Sequence, residues 1–168
     1  MATSKTLAPS DFVHLHNHTH HSLLDGLTKI NDLAVAVKEM GMTAAAVTDH
    51  GTMSGVLEYY KAANAHGIKP ILGIEAYIAA RSRLERDPSK DKVRYHLIIL
   101  AMNNQGYKNL MVLASKAELE GKYYKPRMDR ELLEKYNEGL IVLSACAGGE
   151  VGDALMNGDY LAARDAAK

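Results

Sequence analysis

The sequence has 168 residues, 47% of them hydrophobic, and its Lys and Arg together equal its Asp and Glu. That supplies apolar material for one packed core and one domain, while a formal charge of zero gives the whole chain no electrostatic signature of a nucleic-acid or membrane surface. No leader-like start is visible, no apolar run approaches the roughly 18 residues a membrane span needs, and a lone Cys146 excludes an internal disulfide framework; the expected setting is cytoplasmic, with no membrane partner.

Five short apolar runs read as buried strands: "FVHLH" (12–16), "TAAAVTDH" (43–50), "KPILGIEAYI" (69–78), "YHLIILAM" (95–102) and "GLIVLSAC" (139–146). Helical patterns fall between most of them. After the first strand, "INDLAVAVKEMG" carries Ile30, Leu33, Ala34, Val37 and Met40 at helical spacing and stops at Gly41. After the second, "GVLEYYKAANAHG" repeats the design and stops at Gly67. Between the third and fourth, "RSRLERDPSKDK" (81–92) has charges, a proline and no periodicity, and reads as a solvated excursion. "NNQGYKNLMVLASKAELEG" gives a third helix, "MDRELLEKYNEG" a fourth capped by Asp129, and "NGDYLAARDAAK" a last one. Alternation of strand and helix predicts parallel strands with right-handed crossovers, as an open α/β sheet or part of a barrel.

In such folds functional residues collect at the C-terminal ends of strands. The first strand delivers His14, His16 and His18, with Asp25 in the loop beyond; the second delivers Asp49 and His50, the third Glu75, and the fifth ends on Cys146. Imidazole suits Zn²⁺, Mn²⁺ and Fe²⁺, carboxylates bridge ions, and thiolate favours zinc. On extended backbone His16 and His18 point to one side and can grip one ion, whereas Leu15 points the other way. Each residue has a duller explanation: Asp25 before Gly26 fits a turn, Cys146 a small buried apolar residue, and His66 a favourable helix terminus. Separate structural excuses for His16, His18, Asp25, His50, Glu75 and Cys146 at successive strand ends are together less economical than one multinuclear metal site. His96, near the start of its run, does not fit the strand-end rule.

The blocks "HLHNHT…SLLDG", "AVTDHGTMSGVLEYYKAA", "GIKPILGIEAY", "YHLIILAMNNQGYKNLMVLASKA" and "NEGLIVLSACAGGEV" resemble successive motifs of the polymerase and histidinol phosphatase (PHP) domain, in the branch found at the N-terminus of bacterial DNA polymerase III alpha subunits. The resemblance covers roughly residues 11–160 and includes "NNQGYKNL" and "NEGLIVLS", which carry no ligand. It implies a distorted seven-stranded β/α barrel of TIM type, and two or three divalent ions, zinc first with manganese or iron as alternatives. The implied ligands are His16, His18, Asp25, His50, Glu75, His96 and Cys146; it is this likeness that brings in His96. Implied too are metal-assisted phosphodiester hydrolysis by a 3′–5′ exonuclease, with Glu75, His50 and Asp25 as the catalytic set, and a primer 3′ end, the rest of an alpha subunit and other replisome subunits as partners. His14 would lie just outside the ligand set. His20 and His21 stand where the family usually carries an acid and an aromatic; they read first as solvated loop residues, with an added ligand pair as the alternative.

The family closes its site with an Asp-x-His pair on a late strand, and no histidine follows His96 here. Residues 1–168 are therefore expected to be the front of the domain, without its last strands or a polymerase core. Two other readings stay open: a structural module of a polymerase with vestigial metal binding, and a free-standing phosphatase, against which "NNQGYKNL" and "SACAGGEV" argue.

Overall fold

The structure, a computed structural model, describes residues 7–168. A 3-10 turn at Pro9–Asp11 is followed by α1 (Ile30–Glu39), β1 (Ala44–Val47), α2 (Val56–Ala65), β2 (Lys69–Ala79), β3 (Arg94–Ala101) and α3 (Asn104–Leu119). Then come β4 (Arg127–Met128), α4 (Arg130–Lys135), β5 (Leu140–Leu143), α5 (Glu150–Met156) and α6 (Tyr160–Ala166). The α/β class is as expected, with five strands in one sheet, ordered β1-β2-β3-β5, and β4 paired with β2.

The first two helices form and stop as their sequences dictate. α1 buries Ile30, Ala34 and Val37 on one face. Gly41 follows at φ +75°, where its N–H reaches the Lys38 carbonyl (2.9 Å) and the Met42 N–H the Val37 carbonyl (3.0 Å). Gly67 (φ +70°) ends α2 in the same way, with the Ile68 N–H on Ala63 O at 2.8 Å. Both turns feed the chain directly into β1 and β2. α1 and α2 cover β1 with a cluster built on Ile30, Val37, Val47, Val56 and Tyr59, while Leu110 and Leu113 of α3 pack on Ile74, Ile78 and Ile99.

Strand direction departs from the expectation. β1 and β2 are parallel, Ala44 opposite Lys69 through Val47 opposite Leu72. β3 runs antiparallel to β2, from Gly73 opposite Leu100 to Ala79 opposite Arg94, and β5 runs antiparallel to β3. A parallel neighbour needs a long crossover, usually a helix, and the segment between β2 and β3 contains none. The chain simply turns back.

That segment is also less solvated than its charges suggest. Arg83 and Asp91 are buried. Arg83 pairs with Asp129 (3.0 Å) and Glu120 (2.9 Å), and Asp91 accepts from Arg81 (2.8 and 2.9 Å) and from the Asp87 N–H (2.6 Å). Arg127 of β4 lies beneath it and donates to the carbonyls of Gly121, Arg83, Glu85 and Asp91. An excursion that reads as loose is fastened by buried guanidinium groups.

The expected strand 12–16 reduces to a single parallel bridge, His14 to Ala45. Asn17 is the reason: its side chain donates to the carbonyls of Ala46 (3.0 Å) and His14 (3.3 Å), replacing ladder bonds with side-chain bonds. The strand expected over 139–146 ends at Leu143, before Ala145 at φ +61°. Asp129 caps α4 as expected, accepting from the Leu132 N–H at 3.1 Å. The last helix begins at Tyr160, capped by Asp159, and α5 has no counterpart among the expected elements.

Candidate metal centre

Glu75 lies in the middle of β2, hydrogen-bonded through its backbone on one side to the segment after β1 and opposite Ile98 of β3 on the other. Its carboxylate is only 1% exposed, and four imidazole rings converge on it. Oε2 stands 3.0 Å from His16 Nε2, 2.9 Å from His18 Nε2 and 3.1 Å from His50 Nδ1; Oε1 stands 2.7 Å from His96 Nδ1. Asp25 Oδ2 reaches His50 Nε2 at 3.0 Å from the far side. Cys146 Sγ is 3.8 Å from His96 Nδ1 and accepts from the Gly148 N–H at 3.4 Å. Every residue expected from the sequence as a ligand is thus in one place, with Asp25 and Cys146 at its two flanks. His14 is not: its ring packs edge-on against Phe12, 4.8 Å between centroids.

The sheet directions explain how His96 joins. Because β3 is antiparallel to β2, its beginning lies beside the C-terminal part of β2, and Tyr77 is opposite His96. β5 reverses again, so its C-terminal end and the Cys146 loop return to the same place. The His96 N–H donates to the Gly148 carbonyl at 2.9 Å, tying that loop to β3.

Burial alone would push the Glu75 carboxyl up, but hydrogen bonds from His18 and His16 and the nearby His50 hold it at about 2. In return Glu75 raises His18 above the ordinary imidazole value, against the opposing pull of burial. Yet the contacts are not all hydrogen bonds. Glu75 Oε1 and His50 Nδ1 have no hydrogen-bond partner among the described residues despite approaches of 2.7 and 3.1 Å to ring nitrogen and carboxylate oxygen. Buried nitrogen and oxygen atoms left without a hydrogen-bond partner around one carboxylate are arranged to serve a common cation. The residues fit a divalent metal: His16, His18 and Glu75 form one group of three donors, and His50, Glu75 and His96 another sharing the same carboxylate.

Several positioning residues have no counterpart in the ligand set read from the sequence. Asp49, buried, accepts from the Thr19 N–H (2.6 Å), Thr19 Oγ1 (2.8 Å) and Ser22 Oγ (2.7 Å), and Ser22 Oγ in turn accepts from the His50 N–H at 3.1 Å. One carboxylate therefore fixes both the loop after His18 and the backbone of His50. Its signal was its place immediately before His50, which sends the two side chains to opposite faces. Thr48 Oγ1 holds the backbone N–H of Asn17, between the two first-strand ligands, at 3.0 Å. Tyr77 stands edge-on to His96, 5.3 Å between centroids. The site opens into a cleft of about 980 Å³ lined by Asp25, His50, Tyr77, His96, Lys122 and Lys125 among others.

A mixed sheet that gathers histidines, carboxylates and a thiol around one buried glutamate defines a candidate metal-dependent α/β domain. The model of the PHP domain family matches residues 14–168, and the chain belongs to that family. Its curated relatives are more particular. The chain is 52% identical over 141 residues to the DNA polymerase III subunit alpha of Borreliella burgdorferi, covering 83% of this chain and 12% of that protein. To the subunit of the same name from Treponema pallidum it is 50% identical over 153 residues, 90% of this chain and 13% of that protein. The chain thus spans about an eighth of the length of these relatives. Among solved structures, an amidohydrolase from Chromobacterium violaceum aligns with 63% of this chain and 34% of its own at a TM-score of 0.43 and 19% identity.

Among the described residues no helix is long and apolar enough to cross a membrane.

Proposed function

We propose that residues 1–168 are the front part of the PHP domain of a DNA polymerase III alpha subunit, and that the Glu75 cluster is a multinuclear metal site for phosphodiester hydrolysis, trimming a mispaired primer 3′ end in the intact protein. The observation that carries the reading is the convergence of His16, His18, His50 and His96 on one buried carboxylate, with Glu75 Oε1 and His50 Nδ1 left without a hydrogen-bond partner among the described residues. Ions of the zinc class held there supply Lewis acidity toward a phosphoryl oxygen and lower the pKa of a water.

The chain's own residues do the rest. Glu75 bridges the two donor groups and neutralises part of the charge they hold, while His50 spans Glu75 and Asp25 and faces the cleft. Asp25, 60% exposed at its side chain, is placed to accept a proton at the cleft edge. Lys125 Nζ, 5.6 Å from the Tyr77 ring centroid, puts positive charge in the same cleft, as a phosphodiester requires. DNA, the remainder of an alpha subunit and other replisome subunits are the partners that follow, in a cytoplasmic setting.

The test is hydrolysis of a primer–template with a mispaired 3′ end by the purified, zinc-loaded chain. Release of the terminal nucleotide, lost in Glu75→Gln and after chelation, supports the reading. Zinc bound without any hydrolysis of the primer would instead leave a metal-stabilised structural module. Cleavage confined to small phosphomonoesters would point to a free-standing phosphatase.

A further inference from the structure

The second histidine pair of the opening stretch takes no part in the Glu75 cluster. The rings of His20 and His21 pack on each other, centroids 4.5 Å apart, and Glu58 in the first turn of α2 faces them. One donor atom from each of the three lies within 4.8 Å of the other two. His21 Nε2 is buried, although its ring edge lines the cleft, and has no hydrogen-bond partner among the described residues; Glu58 Oε2 stands 3.5 Å away. A shielded, unbonded imidazole nitrogen is unfavourable unless something occupies the space before it.

The spacing identifies the occupant. Donors about 2.0–2.1 Å from a tetrahedral zinc ion lie about 3.3 Å from one another. The His21–Glu58 separation matches that edge within a few tenths of an ångström, while its geometry is not that of a hydrogen bond. The exposed His20 side chain is free to swing the remaining distance. The backbone beneath is already fixed: the His20 N–H donates to Thr28 O at 2.9 Å and the His21 N–H to Thr19 Oγ1 at 3.2 Å. A Cβ at Gly55 would stand 2.7 Å from Cδ2 of His21, so the glycine just before α2 is what admits the ring.

We propose that His20, His21 and Glu58 form a second divalent-cation site, of the zinc class, that ties the 19–28 loop to the start of α2. Two imidazoles and one carboxylate favour zinc over magnesium, and three protein donors leave one position for water. The site is separate from the Glu75 cluster in donors and in purpose: it fastens the loop that carries Asp25 rather than meeting a substrate.

The experiment is a Zn²⁺ titration of the metal-free purified chain against a chromophoric chelator, in parallel with the double variant His20→Gln/His21→Gln, with Glu58→Gln and with Glu75→Gln. The expected result is that the double variant and Glu58→Gln each bind one ion fewer than the parent, that Glu75→Gln keeps this ion, and that millimolar Mg²⁺ does not displace it. Equal stoichiometry and affinity in the parent and in Glu58→Gln would overturn the proposal, as would displacement by Mg²⁺. Glu58 is an exposed helix-surface residue, so its variant decides the matter even if the histidine double variant fails to fold.

Discussion

Asp49 shows how much of a candidate metal centre is built by residues outside its donor groups. Its carboxylate is fully engaged by one backbone N–H and two hydroxyls, and through Ser22 it sets the His50 backbone. Asp49→Asn keeps the volume but turns one acceptor into a donor facing donors. We expect the fold to survive, by circular dichroism, while zinc affinity at the Glu75 cluster falls about 10–100-fold in a chelator competition, the usual cost of losing a group that orients the ligands. Glu75→Gln acts differently, since it removes the charge shared by both donor groups; elemental analysis is expected to show the cluster depleted rather than weakened. An unchanged metal content in Glu75→Gln would overturn the central place given to that carboxylate. The gathering of these residue types was legible in the sequence, because few structural reasons put His, Asp, Glu and Cys at or near the ends of so many apolar runs. Asp49 was only half legible as an anchor: its place before His50 sends its side chain to the opposite face, but nothing in the sequence names the hydroxyls that satisfy it.

At the level of elements, the helices with apolar stripes and glycine stops were readable because local signals decide them: α1 and α2 end where Gly41 and Gly67 say they should. Strand direction was not, since it depends on what fills the connection, and a helix-free segment between β2 and β3 makes the pair antiparallel. That one reversal also turns His96 from a misfit into a member of the site. Interlocking of α3 with the turn before β5 is likewise invisible in sequence: Gly106, in the first turn of α3, lies so close to Gly139 that an added Cβ would stand 1.8 Å from the Gly139 carbonyl oxygen. Gly139 itself has φ +72° and sends its carbonyl to the Met102 N–H at 2.8 Å. Alanine is the better helix former, yet Gly106→Ala is expected to destabilise the chain by about 1–3 kcal/mol, because backbone on both sides must move apart. Denaturant unfolding checks the sign: a stabilised variant would mean that the contact gives way freely.

For the molecule as a whole, two independent fastenings hold the parts to β2. The Glu75 cluster draws together the segment before α1, the end of β1, the start of β3 and the loop after β5. On the β4 side, where Arg127 lies opposite Tyr77, this guanidinium, 1% exposed and lacking any paired carboxylate among the described residues, gathers four carbonyls at 2.8–3.3 Å, three from the 81–92 segment and one from Gly121. Burial pulls the Arg127 guanidinium pKa down, so its charge is held by those carbonyl dipoles. Removing it as Arg127→Met leaves buried acceptors unbonded, for which about 3–5 kcal/mol is expected. A metal acts in the opposite direction: an ion bound only by the folded chain stabilises it by about 2.7 kcal/mol at a concentration a hundred times its Kd. The two contributions should separate cleanly in thermal unfolding. Zinc is expected to raise Tm in the parent and by a similar increment in Arg127→Met, which starts from a lower value, whereas Glu75→Gln should gain much less. If Arg127→Met lost the zinc increment along with its basal stability, the 81–92 fastening and the metal centre would be one cooperative unit rather than two.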